Sequence, residues 1–366
     1  MYQLQVEATL GEFIFSFILY NFTFLLGFIA FKSKHKMRIP WILSLIFFLF
    51  AFWDTDYYSY KNFFSHPDEN FRDPLYYYLT FMCFNSYIIF RLIIWGGALL
   101  LFHKTIKRYA LSENYTVFIF IGLFLLSFST GRVCLSMSSY FYGLSFLLIK
   151  GDNNRIKNIL NASIFIILSY LAHRSILPLI IAIPLINIGF TKKKYFLMFC
   201  FLPVLVLMIK FGLNYIVSVN DTGEGNLQEL SASVYSYATI DDFKYNWKFT
   251  LIRIIRECSF YCSTLFVSYI IFKEKNRFKI SSSIVQLLLI LVLINFVAIA
   301  FRIADVGIAS KMSERYLYMS GIPICIILSY LHKYKFITKY SLYKLLFLCL
   351  LWGEAFFIGK IYSHYI

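Results

Sequence analysis

Four arginines, Arg132, Arg174, Arg302 and Arg315, stand at the ends of apolar stretches, as do Asp54, Asp56 and His173. These residue types suit one kind of chemistry. A guanidinium gives a planar fork of charge-assisted hydrogen bonds and keeps its proton, so several of them suit a substrate that carries phosphate. An imidazole titrates near neutrality and a carboxylate accepts protons, so His173, Asp54 and Asp56 are candidate general bases. Other roles stay open: outer arginines also anchor lipid headgroups or pair with acids, and a His at a helix end is often structural. Asp54-x-Asp56 has the spacing of a metal-ligand pair. Two carboxylates without further clustered ligands make a sparse metal site, so no metal and no cofactor is expected.

The elements that must position these groups are membrane spans. The 366 residues are 60% hydrophobic, 21% aromatic and 15% charged, against an apolar share of about 45–50% in soluble proteins. The chain therefore reads as an all-α polytopic integral membrane protein. Apolar stretches at 11–31, 39–53, 83–102, 115–130, 133–149, 159–172, 176–190, 196–217, 249–272, 282–301, 316–331 and 345–361 predict about twelve helices, several short enough to need a thin or protein-lined surrounding. No polar block is long enough to fold by itself, so residues 1–366 are expected to form one membrane domain. Glu7 and Glu12 replace the basic segment of a signal peptide, and the first span is expected to be retained.

Charge sorts the connections. Segments 32–38, 103–114, 150–157, 191–194, 273–279 and 332–344 hold the majority of the 35 Lys and Arg, with only Glu113, Asp152 and Glu274 as acids. They are the expected cytoplasmic loops. The net charge of +16 is thus a topology signal, and nucleic acid is not an expected partner. Most acids fall on the other face, which also receives both termini and two longer segments, about 54–82 and 218–248. The first includes LYYYLTFMCF, aromatic enough to lie along the interface. The second mixes Gly, Asn and Ser with acids and is either an outer lid or a plain surface loop.

Five places in the sequence then reach one face: Trp53-Asp54-Thr55-Asp56-Tyr57-Tyr58-Ser59-Tyr60 after span two, Gly131-Arg132 opening span five, Ala172-His173-Arg174-Ser175 after span six, Arg302 and Asp305 after span ten, and Ser313-Glu314-Arg315-Tyr316 before span eleven. Tyr57, Tyr58 and Tyr60 could stack on sugar rings or form part of an aromatic belt. Arg253, Arg256 and Glu257 are spaced to share a helical face, where they widen a phosphate site or pair among themselves. Arg91 lies deep in span three and takes no role from the sequence. The seven cysteines sit in or beside apolar segments without a CxxC pair, and packing is their expected use.

The ordered set resembles the EpsG/Wzy-type family of polysaccharide polymerases. It consists of Asp56-Tyr57-x-x-Tyr60, then Arg132, then His173-Arg174-Ser175, then Arg315-Tyr316, over roughly residues 50–320. The chain departs from the family pattern in two places: Arg-Gln-x-x-Ala is replaced by Arg132-Val133-Cys134-Leu135-Ser136, and the residue before the His is Ala172. The resemblance implies a multi-pass glycosyltransferase with a GT-C-like helical core on the outer face of a bacterial inner membrane. Its donor and acceptor would be oligosaccharide repeat units on undecaprenyl pyrophosphate, embedded among membrane lipids, with a chain-length regulator protein as a further partner. On that expectation Arg132, Arg315, Arg302 and Arg174 hold the pyrophosphate. Asp54 and Tyr60 contact the substrate, and His173 or Asp56 takes the acceptor's proton in an inverting, metal-independent transfer. A lipid-linked glycan flippase and an O-antigen ligase are the competing readings.

Overall fold

A computed structural model describes residues 8–33, 35–50, 52, 57–58, 60–61, 64, 74–84, 86–126, 128, 131–149, 154–184, 197, 200–219, 247–274, 280–304, 309–338 and, with gaps, 340–358. The side chains of 74, 131–132, 213–219, 247–256 and 309–311 lie outside the description. Among the described residues the secondary structure is helical, with no strand. The helices are α1 (Leu10–Lys32), α2 (Ile39–Leu49), α3 (Pro74–Met82), α4 (Tyr87–Arg108), α5 (Glu113–Phe124), α6 (Gly131–Leu148) and α7 (Arg155–Ala172). After a 3-10 turn at Arg174–Ile176 follow α8 (Leu177–Ile181), α9 (Leu202–Val219), α10 (Trp247–Glu274), α11 (Ser282–Ala304), α12 (Ala309–Met319) and α13 (Gly321–Lys333).

Local sequence sets several of the boundaries. Thr9 caps α1 and Glu12 returns a bond to the Thr9 backbone, a reciprocal capping box. Ser86 and Asn154 cap α4 and α7 through their side-chain oxygens. Lys107 and Arg108 close α4, where cations complement the helix carboxyl end. His173 ends α7 by turning extended, at φ −163° and ψ 118°.

Four helices, α1, α4, α7 and α11, are long and apolar enough to cross a membrane. The shorter ones have another solution. Helix α5 has 12 residues and α13 has 13, and at 1.5 Å per residue neither covers the roughly 30 Å hydrocarbon layer alone. Both are buried along nearly their whole length, so protein rather than lipid surrounds them, as the sequence requires of short spans. Gly321 makes part of this packing close: a Cβ there would lie 2.9 Å from the Phe124 ring on α5.

The charge-sorted loops meet at one end of the bundle. Lys36 pairs with Glu113 at 3.2 Å, Asn114 accepts from the Met37 amide and donates to the His35 carbonyl, and Lys333 donates to the Ala110 carbonyl at 2.8 Å. At the other end the Tyr58 hydroxyl donates to Glu12 at 2.7 Å, tying the tyrosine run after α2 to the start of α1. The alternating direction of the helices thus agrees with the alternating charge. Segment 74–82 is the helix α3, too short to span, with Tyr78, Phe81 and Met82 exposed and Tyr76 buried.

Two boundaries differ from the sequence reading. The eleventh span, expected at 316–331, begins instead at Ala309 and is interrupted at Ser320, giving α12 and α13. Lys311, Glu314 and Arg315 mask the helix from a hydropathy scan, so Arg315 lies within a helix rather than in front of one. The seventh span, expected at 176–190, is described as the turn at Arg174–Ile176, the five-residue α8 and a short 3-10 stretch, with 185–196 outside the description. The segment 218–248 also lies outside it, apart from its first two and last two residues.

Helix α6 occupies the centre, touching α4, α7, α11, α12 and α13. Most of its apolar residues are buried and so are its serines, the pattern of a helix enclosed on all sides. The described cysteines are free thiols, with Cys83, Cys134 and Cys325 buried as packing residues.

Candidate functional site

The α6–α7 seam fixes the level at which Arg132 and His173 emerge. The Ser136 hydroxyl donates to the Ser169 carbonyl at 2.8 Å and the Ser169 hydroxyl to the Ser136 carbonyl at 2.7 Å. Seven residues further in along each helix, Gly143 faces Ala162. A Cβ on Gly143 would lie 3.0 Å from both the Ala162 carbonyl oxygen and the Phe165 Cβ. Small and hydroxyl-bearing residues let membrane helices approach this closely. The two contacts set an antiparallel register, and four residues outward from the serine pair it reaches Arg132 on α6 and His173 on α7. Each is about 6 Å along the axis from the seam's serines. The Arg132 side chain lies outside the description, but its backbone opens α6.

His173 is 8% exposed and donates its backbone N–H to the Ser169 carbonyl. Arg174 beside it is exposed and Ser175 is half-buried. The segment then turns back along α6, where the Tyr140 hydroxyl donates to the Leu179 carbonyl at 2.9 Å. The triplet therefore sits at a reversal of the chain where α7 ends.

Helix α12 reaches the same place. Tyr316, 1% exposed, donates its hydroxyl to the Ser175 carbonyl at 3.0 Å, across 141 residues of sequence. Its ring stacks on Phe301 with centroids 5.6 Å apart and planes 13° from parallel. Arg315 is half-buried, and Glu314 accepts from the Tyr318 hydroxyl at 2.9 Å. The structure thus joins the triplet that follows α7 to the Arg315-Tyr316 pair on α12.

Arg302, next to Phe301, forms an ion pair with Glu257 of α10, its Nε donating to Oε2 at 3.0 Å and its Nη2 to Oε1. Glu257 is 7% exposed. The pairing alternative is realised here between helices rather than within α10. The side chains of Arg253 and Arg256 and all of Asp305 lie outside the description. A carboxylate already engages the Arg302 fork, so Arg302 presents less uncompensated charge than a lone arginine would.

Asp54 and Asp56 lie outside the described residues. The tyrosines that follow them in sequence do not. Tyr57, Tyr58 and Tyr60, for which an aromatic belt and a sugar-stacking platform are the two expectations, are all buried. Tyr57 is covered by protein: Phe52, Tyr58 and Tyr87 meet its ring edge to face and the Arg91 guanidinium lies 4.6 Å from its centroid. Burial pushes the Tyr57 hydroxyl above its ordinary pKa despite Arg91 nearby, so it is not a base near neutrality.

Chemically, this end of the bundle gathers cationic and proton-accepting groups on helices locked in register. Among the described residues no group of three or more His, Cys, Asp or Glu forms a metal-binding cluster. Two features escaped the sequence reading, the Tyr316–Ser175 bond and the surroundings of Arg91. The first had a signal, since a tyrosine destined for burial needs a partner for its hydroxyl. The second had only the general rule that a charge within a span faces protein.

No curated protein and no solved structure matches the chain. A family model does, that of the EpsG family, over residues 35–365, a stretch that takes in the whole of this constellation. The order Asp56-Tyr57-x-x-Tyr60, Arg132, His173-Arg174-Ser175, Arg315-Tyr316 is therefore that of a member: the chain belongs to the EpsG family of Wzy-type polysaccharide polymerases.

Proposed function

We propose that this protein is a membrane glycosyltransferase that polymerises oligosaccharide repeat units linked to undecaprenyl pyrophosphate, with its site on the outer face of the bacterial inner membrane. The observation that carries this reading is the hydrogen bond from Tyr316 to Ser175. It ties the stretch that carries Arg315 to the one that carries Arg174 and His173, and the α6–α7 register supports a level shared by the backbones of Arg132 and His173. A set of guanidinium groups beside candidate bases is what transfer from a pyrophosphate-linked donor requires. A GT-C-like helical core is part of the same proposal.

In this mechanism Arg132 and Arg315, assisted by Arg174 and Arg302, hold the pyrophosphate and stabilise the charge that develops as it leaves. Either His173 or Asp56 accepts the proton of the acceptor hydroxyl, with Asp54 beside the substrate. The acceptor oxygen forms the new bond to the anomeric carbon while the bond to the pyrophosphate oxygen breaks. The lipid pyrophosphate departs with its electron pair. Attack from the face opposite the leaving group inverts the anomeric centre, and the arginines supply the cationic charge without a metal.

The test is Arg132→Ala in cells that make the polymer. Polymer disappears while protein level and single-repeat product remain. Normal chain lengths would reject the assignment, loss of the single-repeat product as well would point to a ligase, and lipid-linked units held on the cytoplasmic leaflet would point to a flippase.

A further inference from the structure

Arg91 is 1% exposed near the outer end of α4, inside a membrane bundle. Its guanidinium has two kinds of partner. Nε donates to the Phe48 carbonyl at 3.1 Å and Nη2 donates to the same oxygen. Phe48 is in the last turn of α2, where carbonyls have no further helical N–H to accept from and carry the negative end of the helix dipole. On the other side Nη1 donates to the Tyr87 hydroxyl at 3.0 Å, and that hydroxyl donates to the Tyr57 carbonyl at 2.8 Å. The Trp95 ring lies 4.0 Å from the guanidinium carbon and Tyr57 lies 4.6 Å away. Aromatic faces and a helix end thus compensate a charge that is otherwise costly in this setting.

The two carbonyls are informative because of where they fall in the sequence. Phe48 precedes, and Tyr57 follows, the stretch that carries Asp54 and Asp56. We propose that Arg91 is a positioning residue which, directly and through Tyr87, staples the Phe48 and Tyr57 carbonyls to α4 and so fixes the two points of the chain that flank Asp54 and Asp56 in sequence. A lysine has neither the planar fork nor the reach to serve both acceptors. The consequence for catalysis rests on the polymerase reading given above, whereas the staple itself does not.

Tyr87→Phe is the cleanest variant, since it keeps the ring stacked on Phe90 and removes the hydroxyl that bridges Arg91 to the Tyr57 carbonyl. Arg91→Lys is the second. In the purified full-length protein, both are expected to raise amide hydrogen exchange in peptides covering 49–60 by about tenfold, leaving peptides of α6 and α7 unchanged. With a synthetic lipid-linked repeat unit, kcat falls by about tenfold or more while the donor KM stays within about twofold and the unfolding temperature is preserved. A structural role alone would lower the unfolding temperature and raise exchange throughout. Unchanged exchange in 49–60 in both variants, or exchange that rises equally in α6 and α7, overturns the staple. A wild-type protein that makes no polymer would sink the proposed function, and the exchange result would still decide the staple.

Discussion

The Tyr316 hydroxyl on the Ser175 carbonyl, at 3.0 Å, joins the C-terminal end of α7 to the middle of α12. Both residues stand beside an arginine, Arg315 and Arg174. Removing the hydroxyl by Tyr316→Phe keeps the ring on Phe301 and leaves a partly buried carbonyl short of a partner, a cost of about 1 kcal/mol. Polymerisation should fall by about tenfold or more with protein abundance unchanged, as gel profiles of surface polysaccharide beside an immunoblot would show.

The α6–α7 seam predicts sensitivity to size at Gly143. Adding a side chain there drives it into the Ala162 carbonyl and the Phe165 Cβ, each 3.0 Å from the new atom, and neither can move without moving α7. Gly143→Val should destabilise the protein by about 1–3 kcal/mol and disturb the level shared by Arg132 and His173. Thermal unfolding in detergent measures the first effect, and turnover at a temperature where the variant stays folded measures the second.

Charge without a fork is a separate question at Arg132. Arg132→Lys keeps the cation but loses paired donation to two phosphate oxygens. If Arg132 acts on the departing pyrophosphate, the lysine variant recovers some turnover over alanine but stays about tenfold or more below wild type. Equal activity of lysine and arginine would show that charge alone suffices there.

The Glu257–Arg302 pair predicts that losing both charges costs less than losing one. Truncating one partner leaves the other charge poorly matched, at a cost of about 3–5 kcal/mol for a buried pair; Arg302 is partly open, with 27% of its side chain accessible, which places the loss at or below the low end. Combining Glu257→Gln with Arg302→Met should be milder than Arg302→Ala alone. A double-mutant cycle on unfolding temperature checks this.

Orientation is tested from outside the cell. In a cysteine-free background, a cysteine replacing exposed Lys61 should react with an impermeant maleimide in spheroplasts. One replacing Lys36, paired with Glu113 at the opposite end, should react only after permeabilisation. The reverse pattern would invert the topology and remove the site from the outer face.

The sequence discloses the helices through their apolar lengths and their alternation through the lysine-rich loops. Lys36, Glu113 and Lys333 do end up together. It misplaces α12 because Lys311, Glu314 and Arg315 lower its hydropathy while the surrounding protein still supports a helix. The motif order identifies the family, but no local pattern states that Tyr316 reaches Ser175 or that Arg302 faces Glu257. Those pairings arise from how α12 meets the turn after α7 and how α10 packs against α11, and packing between distant segments has no short-range signature. Arg91 is the extreme case. Its partners are two backbone carbonyls and a tyrosine hydroxyl, which carry no distinctive letter in the sequence.

The reciprocal serine bonds between α6 and α7 also bear on movement. Two helices cross-linked by paired hydroxyls, with no side chain between them at Gly143, shift together as one body. Arg132 and His173 would then keep their spacing through each turnover. The Tyr316–Ser175 hydrogen bond then ties α12 to the end of that paired unit.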